Sequence, residues 1–237
     1  MNIYKHIIQS IAQREKLLAV LLDPEKVNLK ELSHLLEKIN KKADFIFVGG
    51  STVSNGDTDR LVTKLKEFTR IPIVLFPGDY TQITDKADAL LFLSLISGNN
   101  PEYLIQQQIK SVPKLINSNL EIIPTGYILI DGGTETAVQR VSNTRPIPQN
   151  ETDLILHTAK AGAFAGKKLI YLEAGSGAKY PVSQKIINTV KRELNIPLIV
   201  GGGIRSKQQL ENAYDAGADL VVIGTAFEKN NLWFDIF

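Results

Sequence analysis

No cysteine occurs anywhere in the 237 residues. That absence excludes disulfides, thiolate zinc sites, iron–sulfur clusters and cysteine nucleophiles together. An excess of charge of one sign is missing too. The 27 Lys and Arg stand against 25 Asp and Glu, a formal net charge of +2, and no Lys/Arg run stands out. A nucleic-acid partner is therefore not expected. No apolar run approaches the ~18 residues of a membrane-spanning helix. The opening "MNIYKHIIQSIAQREK" lacks the apolar core of a secretory signal. The chain reads as cytosolic (cytoplasmic), which leaves Asn150-Glu151-Thr152 an idle glycosylation sequon. The three histidines, His6, His34 and His157, show no metal-ligand spacing and are expected to be structural or surface residues on helices.

What is present is a rhythm. Short branched apolar runs recur at 17–22, 45–49, 72–76, 89–94, 122–130, 169–173, 197–201 and 220–224. They are continuous rather than alternating, as suits strands covered on both faces of a parallel sheet. Ala-Asp stands just before the strands in "KADFIFVGG", "KADALLFLS" and "GADLVVIGT", and Ile-Pro does so in "RIPIVLFPG" and "NIPLIVGGG". Helical patterns fit 28–40, 58–69, 101–116, 151–165, 182–194 and 206–216, with Asn28, Ser183 and Ser206 as candidate N-caps. Two places break the rhythm. The short "PGDYTQITDKAD" leaves little room for a full helix between strands three and four, and residues 131–150 make a long polar excursion after strand five. The expectation is one domain over 1–237, an eight-stranded α/β barrel, with a doubly wound open sheet as the alternative. The length is close to the roughly 250 residues typical of such barrels.

In an α/β barrel the chemistry sits at the C-terminal strand ends. Those positions read "DPEK" (23–26), "GGST" (49–52), "FPGD" (76–79), "SLISG" (94–98), "DGG" (131–133), "EAGSGAKY" (173–180), "GGGIRS" (201–206) and "GTAFE" (224–228). "GGGIRS" fits neither the dinucleotide fingerprint nor a P-loop. By itself the triplet is either a tight corner or a phosphate cradle. Gly224 and Thr225 at the next strand end favour phosphate, because loops seven and eight are the usual phosphate site of such barrels. Tyr171 and Glu173 share one strand face and Leu172 takes the other. Glu173 beside a bound hydroxyl is a candidate general base, the alternative being a helix cap. Asp23, near the hydroxyls of Ser51 and Thr52, is a candidate magnesium seat, the alternative being a local ion pair with Lys26 or a helix cap.

"YLEAGSGA", with "GGGIRS" and "GT" after it and "DPEK", "GGST" and "TRPIP" before it, resembles the geranylgeranylglyceryl phosphate synthase family, which includes bacterial heptaprenylglyceryl phosphate synthases. The likeness runs through essentially the whole chain in order. It implies a modified TIM (β/α)8 barrel whose third helix is replaced by a loop. It implies a prenyltransferase that joins the 3-hydroxyl of sn-glycerol 1-phosphate to a long polyprenyl diphosphate, geranylgeranyl diphosphate first, and releases diphosphate. On the resemblance, Asp23 and Ser51 hold Mg2+. Tyr171, Leu172, Glu173, Ala174, Gly175, Ser176, Gly177, Gly202, Gly203, Gly224 and Thr225 bind glycerol 1-phosphate, Lys26 helps with phosphate charge, and Glu173 takes the proton. No Asp-Asp-x-x-Asp motif of chain-elongating prenyltransferases occurs. "FPGDYTQI" and "LFLSLISG", with Tyr80 and Phe92, are candidates for the tail groove. The resemblance also implies homo-oligomers, dimers or larger rings, and so apolar a product implies transient contact with a membrane surface. The C-terminal "NNLWFDIF" adds Trp233, Phe234 and Phe237, expected as core packing. Two rivals stand beside this reading: a phosphosugar isomerase using Asp23 and Asp131, and a non-catalytic phosphometabolite-binding barrel.

Overall fold

A computed structural model describes residues 2–224. Helix α1 (Ile3–Ala12) precedes β1 (Leu17–Leu22), α2 (Leu32–Ile39), β2 (Phe45–Val48), α3 (Asp57–Phe68) and β3 (Ile73–Leu75). Then come β4 (Ala89–Leu95), α4 (Gln107–Leu115), β5 (Glu121–Leu129), α5 (Ala137–Ser142) and α6 (Thr152–Phe164). The chain continues through β6 (Leu169–Glu173), α7 (Gln184–Glu193), β7 (Leu198–Gly201), α8 (Lys207–Asp215) and β8 (Leu220–Ile223). All eight strands pair in parallel and β8 returns to β1, closing a barrel. The open sheet is thereby excluded.

The repeated Ala-Asp signature has a structural cause. Asp44, Asp88 and Asp219 each stand one residue before a strand and turn their carboxylate to a backbone N–H at the start of the preceding strand. They accept from Leu18 (2.8 Å), Ile73 (2.7 Å) and Leu198 (2.7 Å). N–H groups at the N-terminal end of the barrel thus gain charge-assisted partners. The prolines of the Ile-Pro pairs stand just outside their strands. Their carbonyls accept from Ile46 and Ile170 at 3.0 and 3.1 Å, so the ladder starts there without the missing N–H.

Side chains of alternate residues divide the core into two clusters. One fills the barrel with residues such as Leu17, Phe45, Phe47, Leu91, Tyr127 and Tyr171. The other lies between strands and helices. Helix α1, which lies before the helical ranges expected above, closes the barrel floor. Its Ile3 and Ile7 join the inner cluster, and Glu121 at the start of β5 accepts the first N–H groups of the helix, from Ile3 and Tyr4. His6 stacks edge-on to Phe45 beside it, while His34 and His157 are exposed.

Between β3 and β4 only one 3-10 turn, Tyr80–Gln82, stands where a helix would be, as the spacing implies. The 101–116 pattern opens on a π-helical turn, Glu102–Gln106, before α4. The 28–40 pattern begins late. Asn28 caps a turn by accepting from Lys30 N–H, and the helix starts at Leu32. Ser206 caps α8 by accepting from Gln209 N–H, whereas Ser183 precedes α7 without a side-chain capping bond. The 131–150 excursion carries α5 and returns through a parallel bridge between Ile147 and Ile130.

Candidate active site

The strand ends open into a cavity of about 400 Å3. Gly202, Gly203, Ser176 and Gly177 line one end, and Asp23, Lys26, Ser51 and Thr52 line another part. From there the cavity runs outward past Phe76, Tyr80, Ile83, Leu90 and Phe92, under α5 and beside Tyr103 of the π turn and Gln108 of α4. This outward arm exists because no helix lies between β3 and β4 to cover them. Both segments expected to form an apolar groove, with Tyr80 and Phe92, contribute residues to it.

Glu173 ends β6 on the inner face and is 5% exposed. The pleat puts Tyr171 directly beneath it, and Tyr171 stacks on Phe76 (ring centroids 5.2 Å apart) and tilts against Tyr127 (5.4 Å). This aromatic floor is apolar, and burial pushes the Glu173 carboxyl up to about 7. Two neighbours oppose the shift: the Tyr171 hydroxyl beside the carboxylate, and the Gly175 N–H, which donates to Oε1 at 2.7 Å. The Tyr171 hydroxyl is buried and makes no hydrogen bond of its own. A carboxyl held near neutrality, facing a cavity, is equipped to accept a proton at physiological pH.

The glycine triplet has a separate reason at each position. A Cβ at Gly201 would crowd the Tyr171 hydroxyl and lie 2.8 Å from Glu173 Oε2. Gly202 has φ +82°, and a Cβ there would run into Glu173 Oε1. Gly203, at φ +72°, lies against the backbone of Tyr180 and Pro181. The triplet is therefore the corner that lets loop seven press onto the Glu173 loop, and two of its glycines, Gly202 and Gly203, also face the cavity. The Glu173 loop is fastened from both sides. Arg205 donates to the carbonyls of Gly177 (3.1 Å) and Ala178 (2.5 Å), and Thr136 at the N-cap of α5 fits against Gly175.

At the other part of the mouth, Asp23 forms an ion pair with Lys26 at 2.8 Å. The local pair expected as the alternative is thus present, but both residues still face the cavity with Ser51 and Thr52. Among the described residues no group of three or more His, Cys, Asp or Glu gathers to hold a metal. One carboxylate with neighbouring hydroxyls fits only a hard cation that draws its remaining ligands from water and substrate phosphate, as magnesium does.

Of the expected glycerol-phosphate set, Tyr171, Glu173, Ser176, Gly177, Gly202, Gly203 and Gly224 line the cavity. The side chains of Leu172 and Ala174 do not. Both are fully buried in the strand–helix layer, as the pleat requires of residues that flank Glu173. Gly175 serves Glu173 through its N–H rather than lining the cavity. Thr225, like Trp233, Phe234 and Phe237, lies outside the described residues. Asp131 is exposed and accepts from Gly133 N–H at 2.8 Å, away from the cavity, so no acid pair spans the mouth between it and Asp23. Tyr127 and the α5 residues Val138, Arg140 and Val141 line the cavity although nothing in the sequence singles them out as site residues, and Arg205 lines it too. Arg205 is legible as a residue of the glycine corner, but α5 carries no spacing that would find it.

A protein-family model described as the PcrB family matches residues 10–236. The geranylgeranylglyceryl phosphate synthase of Zunongwangia profunda is 61% identical over 223 residues, covering 94% of this chain and 95% of that protein. The enzyme of the same name from Thermococcus kodakarensis is 42% identical over 221 residues, 92% and 86% of the two chains. A crystal structure of (S)-3-O-geranylgeranylglyceryl phosphate synthase from Thermoplasma acidophilum, in complex with substrate sn-glycerol-1-phosphate, superposes with a TM-score of 0.93. It is 33% identical, and the match covers 100% of this chain and 95% of that one.

Proposed function

The chain belongs to the PcrB family, and on that premise we propose that it is a prenyltransferase joining the 3-hydroxyl of sn-glycerol 1-phosphate to a polyprenyl diphosphate. The single observation that carries the reading is Glu173: a buried carboxyl pushed up to about 7, between a glycine-lined end and an apolar arm of one cavity. The relatives named above supply the substrates, in particular the glycerol phosphate bound in the Thermoplasma acidophilum enzyme.

The phosphate sits at the Gly202, Gly203 and Ser176–Gly177 end, where glycine lets the backbone approach an anion. The glycerol 3-hydroxyl then lies over Glu173. As its oxygen forms a bond to C1 of the prenyl chain, the bond from C1 to the diphosphate oxygen breaks with its electron pair, and Glu173 accepts the hydroxyl proton. The products are the ether and free diphosphate. Lys26 supplies positive charge on the diphosphate side. The apolar tail lies along Phe76, Tyr80, Leu90 and Phe92, and the apolar aromatic floor keeps water from the electrophilic carbon. Asp23 and Ser51 are the residues that would hold Mg2+, whose chemistry there is to neutralise leaving diphosphate. Geranylgeranyl diphosphate is the donor we expect first.

The assay is transfer to labelled sn-glycerol 1-phosphate from farnesyl, geranylgeranyl and heptaprenyl diphosphates with and without magnesium, with sn-glycerol 3-phosphate as control. Ether product from the 1-phosphate alone supports the reading, and no product with any donor refutes it. The isomerase reading loses its acid pair with Asp131 outside the cavity. Among the described residues no helix is long and apolar enough to cross a membrane. A cytoplasmic homo-oligomer touching membranes transiently rests on the resemblance and on the apolar product. Ultracentrifugation with and without lipid vesicles tests it.

A further inference from the structure

Gln82 closes the 3-10 turn that stands in place of a helix between β3 and β4, yet it is only 2% exposed and does not line the cavity. Its amide reaches sideways into the loops after β2 and β3. Oε1 accepts from Gly78 N–H at 3.1 Å and from Gly50 N–H at 3.4 Å, and Nε2 donates to the Gly50 carbonyl at 3.0 Å. The two loops approach backbone to backbone at this point. A Cβ at Gly78 would run into the Gly50 carbonyl oxygen, and one at Gly50 would lie 3.0 Å from the Asp23 carboxylate. Gly50 is therefore held between Gln82 on one side and Asp23 on the other, and Ser51 follows it directly.

The same turn is tied to the opposite wall of the apolar arm. Tyr80 N–H donates to Gln107 Oε1 at 2.8 Å, and Lys114 of α4 donates to the Thr81 carbonyl at 3.2 Å. Tyr80 itself lines the arm. The turn Tyr80–Gln82 thus joins the wall that meets the prenyl tail to the loop that carries Ser51.

We propose that Gln82 is a positioning residue for the prenyl-diphosphate half of the site, fixing the Gly50–Ser51 loop beside Asp23 through its amide. This deepens the prenyltransferase reading and rests on it. The physical reason is that glycine-rich loops have many accessible conformations, and a buried bidentate amide selects one of them before substrate arrives. A residue that only stabilised the barrel would affect both substrates alike. The hydrogen bonds of the Gln82 amide go to the loops after β2 and β3 and not to the loops that line the glycerol-phosphate end, so its effect falls on the donor.

The test uses Gln82→Met, of similar length but without an amide, and Gln82→Glu, which retains acceptors and loses the donor at neutral pH. Steady-state KM is measured for geranylgeranyl diphosphate and for sn-glycerol 1-phosphate, and amide exchange is followed across residues 49–52 and 173–177. The expected result for Gln82→Met is a donor KM raised about tenfold or more, as loss of the three hydrogen bonds of the amide implies, with the glycerol-phosphate KM changed by less than about twofold. Exchange should quicken at 49–52 and stay unchanged at 173–177. Equal shifts in both KM values, or unchanged exchange at 49–52 in both variants, overturn the proposal. If wild-type protein transfers no prenyl group, the reaction reading fails, and magnesium diphosphate replaces the donor. Affinity for it that is the same in wild type and Gln82→Met then overturns the positioning role.

Discussion

Replacing Glu173 by Gln separates what the carboxyl does for the reaction from what it does to the fold. In the folded protein the group is raised from 4.5 to about 7 by burial. A difference of that size between the folded and unfolded chain corresponds to about 3 kcal/mol. The sign follows from linkage. A group raised in the folded state contributes stability fully present below its unfolded value of 4.5, and that contribution is lost as pH rises through about 7. Above pH 7 the wild type therefore keeps a buried charge that the amide variant does not have. The glutamine side chain in Glu173→Gln retains an oxygen for the Gly175 N–H and has nearly the same shape. Denaturant unfolding should show variant and wild type nearly equal at about pH 4, with the variant gaining about 3 kcal/mol by about pH 8.5. For a chain of this size the thermal midpoint should rise by about 6–12 °C at the alkaline end. In parallel, turnover should fall by about 10²–10⁴, while sn-glycerol 1-phosphate binding, read by calorimetry, persists. Wild-type kcat/KM should rise with pH through a midpoint near about 7, because the base must be ionised to act. A stability difference that stays constant across this pH range would refute the argument that desolvation raises Glu173.

Gly202→Ala drives a Cβ into Glu173 Oε1 at φ +82°, so it should cost about 2 kcal/mol or more. Glycerol-phosphate binding should be lost with it, as calorimetry and melting would show. Asp131→Asn, by contrast, keeps the exposed turn at Gly133 and touches no cavity residue, so turnover should change by less than about twofold. An abolished activity would restore the acid-pair mechanism. Asp23→Ala, and chelation of the wild type, should both abolish transfer without weakening sn-glycerol 1-phosphate binding. Magnesium titration should rescue only the chelated wild type.

The eight runs, their parallel order and the lack of a helix between β3 and β4 are all legible in sequence, because apolar continuity, proline position and gap length are local properties of the chain. So are the residue types at the strand ends, since a barrel brings every such end to one face. The family resemblance lies in contiguous motifs and needs no structure either. The spacing of Ile3, Ile7 and Ile11 marks an amphipathic helix, but its place is not legible, because only the closed barrel supplies the floor it covers. The same limit applies at the site. Within "YLEAGSGA", Tyr171, Glu173, Ser176 and Gly177 reach the cavity, whereas Leu172 and Ala174 pack outward and Gly175 acts through its backbone. Only the pleat and the two core clusters sort these neighbours from one another. Asp131 and Glu173 are alike as acids at strand ends, yet one is exposed and the other desolvated. Desolvation is the sum of neighbours distant in sequence: the glycines of loop seven, Phe76 after β3 and Tyr127 of β5, besides Tyr171 of the same strand. Gln82 belongs with these. Its type and place in a short polar loop are ordinary in sequence, and its hold on Gly50 and Gly78 exists only because the barrel sets β2 and β3 side by side. Sequence determined which residues reach the mouth of the barrel. Tertiary structure decided which of them face the cavity, which are desolvated, and which hold the others in place, because each of those properties depends on neighbours brought together by closure.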